Sequence, residues 1–150
     1  MKIRSDFVTN SSSSSFIVVF KDKREMEQSY KYMCNEIGED FADIFYKDFC
    51  EHLSDRKAVE TELYKMFVDE GYEKLIYTDE YYKLGNCKYY QKYGKDNIRK
   101  RVEDYASAKV KEEMCKIPKR SKYVVIEYES DILENIMNTL PFVFKSISHH

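Results

Sequence analysis

Two blocks of this sequence read most clearly as strand, and they stand near opposite ends of the chain. The first is Phe16-Ile17-Val18-Val19-Phe20, which is apolar, β-branched and aromatic, and too short for a buried helix. The second is Tyr123-Val124-Val125-Ile126-Glu127-Tyr128-Glu129. Roughly a hundred residues of charge-rich sequence lie between them. Two short strands do not make a stable sheet by themselves, so neighbouring segments must add to it. Ile3 to Val8 is a candidate first strand or extended arm, and Phe142-Val143-Phe144 a candidate last strand leading into the terminal histidines. The expected architecture is α+β (or α/β): a three- to four-stranded sheet built from both chain ends, packed with a central block of four to five helices. A chain of 150 residues suits one such domain, with a core large enough to need no staples.

The middle of the chain carries helical periodicity. Asp22 is an N-cap candidate for a helix to about Asn35 with Met26, Tyr30 and Met33 on one face, broken at Gly38. Phe41, Ile44, Phe45, Phe49 and Leu53 recur at three- and four-residue steps and predict a second helix. Ser54 or Asp55 caps a third, with Val59, Leu63, Met66 and Phe67 as its stripe and Gly71 as its stop. Tyr72 to Tyr93 is tyrosine-rich and reads as a short helix, a turn at Gly85-Asn86 and a second short piece ending at Gly94. Asp96 caps the longest helix, with Ile98, Val102, Tyr105, Ala106, Val110, Met114 and Ile117 on its buried side and Pro118 at its end. Asp131 caps a short helix through Met137, and Pro141 breaks it.

Charged residues make up 35% of the chain and alternate in sign, the pattern of exposed helix faces. A net charge of −2 does not mark the whole molecule as a nucleic-acid binder. Cys34, Cys50, Cys87 and Cys115 contain no C-x-x-C spacing, which excludes a zinc knuckle or thioredoxin-like motif. The N-terminus is polar with no following apolar core, so no signal peptide is expected. No run approaches the roughly 20 apolar residues of a membrane helix. A cytoplasmic protein with reduced thiols and no membrane partner is expected.

Five serines, Ser11 to Ser15, run into the first strand behind Thr9 and Asn10. Serine hydroxyls compete for the backbone, which favours turns over regular structure. Phe7, Val8 and Phe16 flank the run closely and predict an ordered loop. Two readings stand. The loop is a solvated turn between strands, or Thr9, Asn10, Ser11, Ser12, Ser13, Ser14 and Ser15 cradle a phosphate or carboxylate with hydroxyls and free N–H groups. A sheet built from both ends brings this run near His149 and His150. A serine nucleophile needs a histidine base in reach and a carboxylate to orient it. Ser13, Ser14, His149, His150 and Glu127 or Glu129 supply those types, without a G-x-S-x-G elbow. The competing reading is a polar loop beside a frayed tail. Adjacent histidines in a strand point to opposite faces and do not share one ion, and His52 reads as a surface or partly buried residue, so no metal or cofactor is expected.

Charge is polarised along the chain. Lys83, Lys88, Lys92, Lys95, Arg99, Lys100 and Arg101 against Asp96 give +6, with Tyr89 and Tyr93 interleaved. Lys88, Tyr89, Lys92, Tyr93, Arg99 and Arg101 are therefore candidates for nucleic-acid contact, against the alternative of a solvated helix rim with half-buried tyrosines. From Glu36 to Glu80, fourteen acids against five bases give −9, a surface suited to a basic groove or simply to solvent.

Arg4-Ser5-Asp6-Phe7-Val8-Thr9-Asn10-Ser11-Ser12-Ser13-Ser14-Ser15-Phe16 resembles the N-terminal signature of an uncharacterised family of small proteins from Gram-positive bacteria and their phages. Ile147-Ser148-His149-His150 resembles the ending of its members. Glu129-Ser130-Asp131 matches an acidic segment of the family, whereas Leu133-Glu134-Asn135 lacks the histidine of its Glu-His-Gly motif, so no histidine chemistry carries over. The resemblance covers the chain ends and implies no activity. The expectation is a small, non-enzymatic interaction protein of phage or mobile-element type, binding a host protein or nucleoprotein such as a defence or nucleic-acid-processing complex. The alternative is a nucleotide- or phosphoester-binding protein or hydrolase that uses the serine run and the terminal histidines.

Overall fold

The structure is a computed structural model and describes residues 13–75 and 95–149. In chain order its elements are β1 (Ser13–Phe20), α1 (Lys23–Ile37), α2 (Glu39–Glu51), β2 (Leu53–Ser54), α3 (Arg56–Leu75), α4 (Lys95–Met114), β3 (Lys122–Tyr128), α5 (Asp131–Met137) and β4 (Val143–His149). The strands form one sheet in the order β2-β3-β1-β4, antiparallel at every pairing. This makes the fold α+β rather than α/β, because parallel strands would have required helical crossovers. The candidate strand Ile3 to Val8 and most of the tyrosine-rich stretch lie outside the described residues.

The described residues group into two compact units. One takes in the chain up to Val59 and from Pro118 onward; the other runs from Glu60 to Ile117. In the first, alternate residues of the two central strands point to one side of the sheet: Phe16, Val18 and Phe20 from β1, Val124, Ile126 and Tyr128 from β3. Met26 and Met33 of α1, Ala42, Phe45 and Phe49 of α2, and Met137 and Leu140 complete that core. The rings of Phe20 and Phe49 lie 5.9 Å apart, and those of Phe45 and Tyr128 5.6 Å apart, edge to face. Fully buried side chains of this size contribute about 1.5–3 kcal/mol each.

Local chemistry places the helix starts. The Asp22 side chain accepts from the Glu25 N–H at 2.9 Å, and Glu25 reaches back to the Lys21 N–H at 3.0 Å. Asp55, rather than Ser54, accepts from the Ala58 N–H at 2.8 Å and caps α3. Gly38 closes α1 and opens α2 at a φ of 89°, a conformation that glycine adopts without strain. The cap of α5 is Ser130, which accepts from the Leu133 N–H, so Asp131 is the first helical residue instead.

Four further expectations are corrected. Ser13, Ser14 and Ser15 are strand and not loop: β3 and β4 flank β1 and satisfy its backbone, which outweighs serine's weak strand preference. Ile44 and Leu53 are not on the buried stripe of α2; they are 43% and 51% exposed, and Leu53 belongs to β2. Gly71 does not stop α3. It lies inside the helix, in the second unit, where a Cβ would stand 3.1 Å from the Tyr105 ring and 3.2 Å from the Val102 side chain. Asp96, expected as a cap, lies inside α4, whose expected stripe is otherwise buried at Ile98, Val102, Ala106 and Met114, followed by Ile117.

Candidate functional site

The two chain ends meet in the sheet. Ser13 is the direct ladder partner of His149, which puts their Cα atoms about 5 Å apart. The expected proximity of serine run and tail therefore holds for the backbone, and His149 is part of a strand rather than a frayed end. Strand alternation then sorts the candidates. Ser13 and Ser15 share a sheet face with Glu127, while Ser14 points to the opposite, helix-covered face with Tyr128 and is buried. The Ser13 hydroxyl donates to Glu127 Oε2 at 2.6 Å, the short distance of a hydrogen bond to a charged acceptor. Of the two acids considered, Glu127 rather than Glu129 meets a serine; Glu129 lies just past the end of β3 and is exposed. Thr9, Asn10, Ser11, Ser12 and His150 lie outside the described residues.

A second feature lies apart from the site residues expected from the sequence. Val19, Phe20, Glu25, Gln28, Ser29, Tyr32, Pro141, Phe142, Val143 and Phe144 line a groove of about 490 Å³ between α1, the end of β1 and the start of β4. Tyr32 is 39% exposed and meets Phe142 edge to face at 6.1 Å, and Phe142 in turn stacks against Phe20 at 5.4 Å. The β1–β4 register shifts between Ile17 and Val18: Ile17 pairs with Lys145, Val18 with Val143, and Phe144 is the extra residue. Such a bulge re-aims its side chain, and Phe144 is among the residues lining the groove. Among the described residues β4 pairs on one side only, with β1. The sequence signals were Tyr32, off the α1 core stripe, and the aromatic pair around Val143 after Pro141.

Of the basic-aromatic candidates, Arg99 and Arg101 are exposed on α4; Lys88, Tyr89, Lys92 and Tyr93 lie outside the described residues. Cys34, Cys50 and Cys115 are free thiols. Among the described residues no helix is long and apolar enough to cross a membrane, and no cluster of three or more metal-ligating side chains occurs. Comparison with protein-family models, with curated proteins and with solved structures gives no match to this chain.

Proposed function

We propose that this chain is a small interaction protein of phage or mobile-element type, which binds a host protein through the aromatic groove beside β4. The groove carries the reading. It is shallow and apolar, its lining includes four aromatic side chains, and it runs along a strand that is outermost among the described residues. An extended segment of a partner adds to such an edge by main-chain hydrogen bonds and drops alternate side chains into the neighbouring hollow. Tyr32, Phe142 and Phe144 suit an apolar side chain, and Glu25, the one carboxylate among the described lining residues, favours a nearby lysine or arginine. The phage attribution rests on the resemblance of the two chain ends, and the free thiols support a cytoplasmic partner.

The test is selection of an extended-peptide library on the full chain, repeated with Tyr32→Ala and with Phe144→Lys. Enriched peptides should carry an apolar anchor beside a basic residue, and affinity should fall on the order of tenfold or more in each variant, as for an interface anchor. Peptides indifferent to both substitutions, or no enrichment, overturn the reading.

A second reading, a nucleotide or phosphoester site, is favoured by the Ser13–Glu127 bond and the Ser13–His149 register. Against it, an ionised Glu127 repels a phosphate, and Ser14 and Ser15 stand in register for ladder bonds on both sides, which limits the N–H groups left for an anion. Phosphoester turnover by the full chain that disappears in Ser13→Ala would establish it.

A further inference from the structure

α1 bears a second hollow on the side away from the groove. Glu27 and Tyr30 of α1 and Asp43, Tyr46 and Lys47 of α2 line a space of about 390 Å³. The Tyr30 and Tyr46 rings meet edge to face with centroids 5.3 Å apart. The Tyr30 hydroxyl donates to Asp43 Oδ1 at 2.5 Å, which fixes the carboxylate against the ring and pushes the ionisation of Tyr30 well up. Two aromatic rings, two carboxylates and one ammonium at a concave site combine π-faces with an excess of negative charge.

We propose that this hollow receives the guanidinium of an arginine side chain of a protein partner. A guanidinium is flat, weakly hydrated and always charged. It stacks on a tyrosine ring while donating through its fork to a carboxylate, here Glu27 or the free oxygen of Asp43. An anion meets two like charges, and an aliphatic side chain would cover two carboxylates without offering either a cation or a donor. A compact ammonium holds its water more strongly and stacks less well. Charge complementarity extends beyond the hollow: Asp43, Tyr46 and Lys47 belong to the stretch from Glu36 to Val59, where seven acids stand against three bases and attract basic surfaces. The proposal rests on the interaction-protein reading only in that the arginine belongs to a partner; its residues are separate from those of the groove.

The experiment titrates the full chain with N-acetyl-arginine N-methylamide and, in parallel, with the citrulline analogue, an uncharged isostere. The ring resonances of Tyr30 and Tyr46 are followed by NMR. Saturable shifts are expected with the arginine probe, with affinity on the order of fivefold weaker for citrulline. Glu27 is exposed, so Glu27→Gln should leave the spectrum of the fold unchanged and weaken the arginine probe about threefold. Tyr46→Leu should weaken it further. No saturable shift, an equal response to both probes, or indifference to Glu27→Gln and Tyr46→Leu overturns the proposal. Each of these outcomes is independent of peptide binding in the groove, so failure of one site is distinguishable from failure of the other.

Discussion

Tyr128 shows how one residue couples the core to pH. Its ring lies between Phe16 and Phe45, it is 8% exposed, and its hydroxyl donates to Asp48 Oδ2 at 2.7 Å. Burial, and then the neighbouring Asp48 carboxylate, push the ionisation of this phenol far above the ordinary value. A tyrosine in the unfolded chain ionises near pH 10. The folded protein therefore holds a proton that the unfolded chain releases above that pH. Stability is unaffected by this group below about pH 10 and falls as pH rises beyond it, by at most about 1.4 kcal/mol per pH unit. Tyr128→Phe should cost about 1 kcal/mol at neutral pH, through the lost hydrogen bond. Above pH 10 its urea midpoint should fall less steeply than that of the parent chain. Tyr30, raised by its hydrogen bond to Asp43, and Tyr46, raised by burial, keep some slope in both proteins. Parallel slopes would show that Tyr128 ionises freely in the folded state. At this scale the sequence was informative about types and not about conformation. It singled out Ser13, His149 and Glu127 together, yet placed the serine in a loop, because serine's local preference is visible in sequence and the flanking strands that override it are not.

At the level of elements, what was legible was local. Asp22 was readable as a cap, and Asp55 as one of two alternatives with Ser54, because an N-cap bonds an N–H two or three residues away. Asp22→Ala and Asp55→Ala should each cost about 1 kcal/mol in urea unfolding. Gly71 was misread because its reason is tertiary. Glycine inside a helix ordinarily costs about 1 kcal/mol relative to alanine, so Gly71→Ala on a free surface would stabilise. Here the new methyl meets the Tyr105 ring and Val102. Neither yields easily: Val102 is fully buried, and Tyr105 donates to Glu70 at 2.8 Å with Lys74 and Lys109 over its ring. The Lys74 ion pair, and then the Tyr105 bond, hold Glu70 below the usual glutamate range. Gly71→Ala should therefore destabilise by about 1–2 kcal/mol, as overpacking does. In a Tyr105→Ala background, where the ring is gone, the same substitution should cost less or stabilise. Additive effects in this double-mutant cycle would show that the ring is not what opposes the methyl.

For the molecule as a whole, the position of the strands was the legible part, and their order was not. Strand blocks near both ends required a sheet closed by distant segments; which strand lies in the middle depends on pairings that no local pattern encodes. β1 takes the centre, between β3 and β4, so the sheet joins residues such as Ser13 and Glu127 that stand 114 positions apart. Closing so long a loop carries an entropic cost that is recovered only when the apolar faces of α1 and α2 are covered. Those faces contribute Met26, Met33, Ala42, Phe45 and Phe49 to a core whose other half includes Val124, Ile126, Tyr128, Met137 and Leu140 from the C-terminal segment. A fragment ending at Ile117 keeps α1 and α2 but loses β3, α5 and β4, and with them that half of the core. It should retain helical circular dichroism, since helices form from local contacts, but its α1 and α2 amides should exchange at rates close to those of an unfolded chain, without a cooperative urea transition. Hydrogen exchange on the fragment and the full chain, measured side by side, gives the answer. Protection of the α1 and α2 amides in the fragment approaching that of the full chain would mean that the two helices support each other without the sheet, and that closure by the C-terminal strands is not what stabilises this end of the protein.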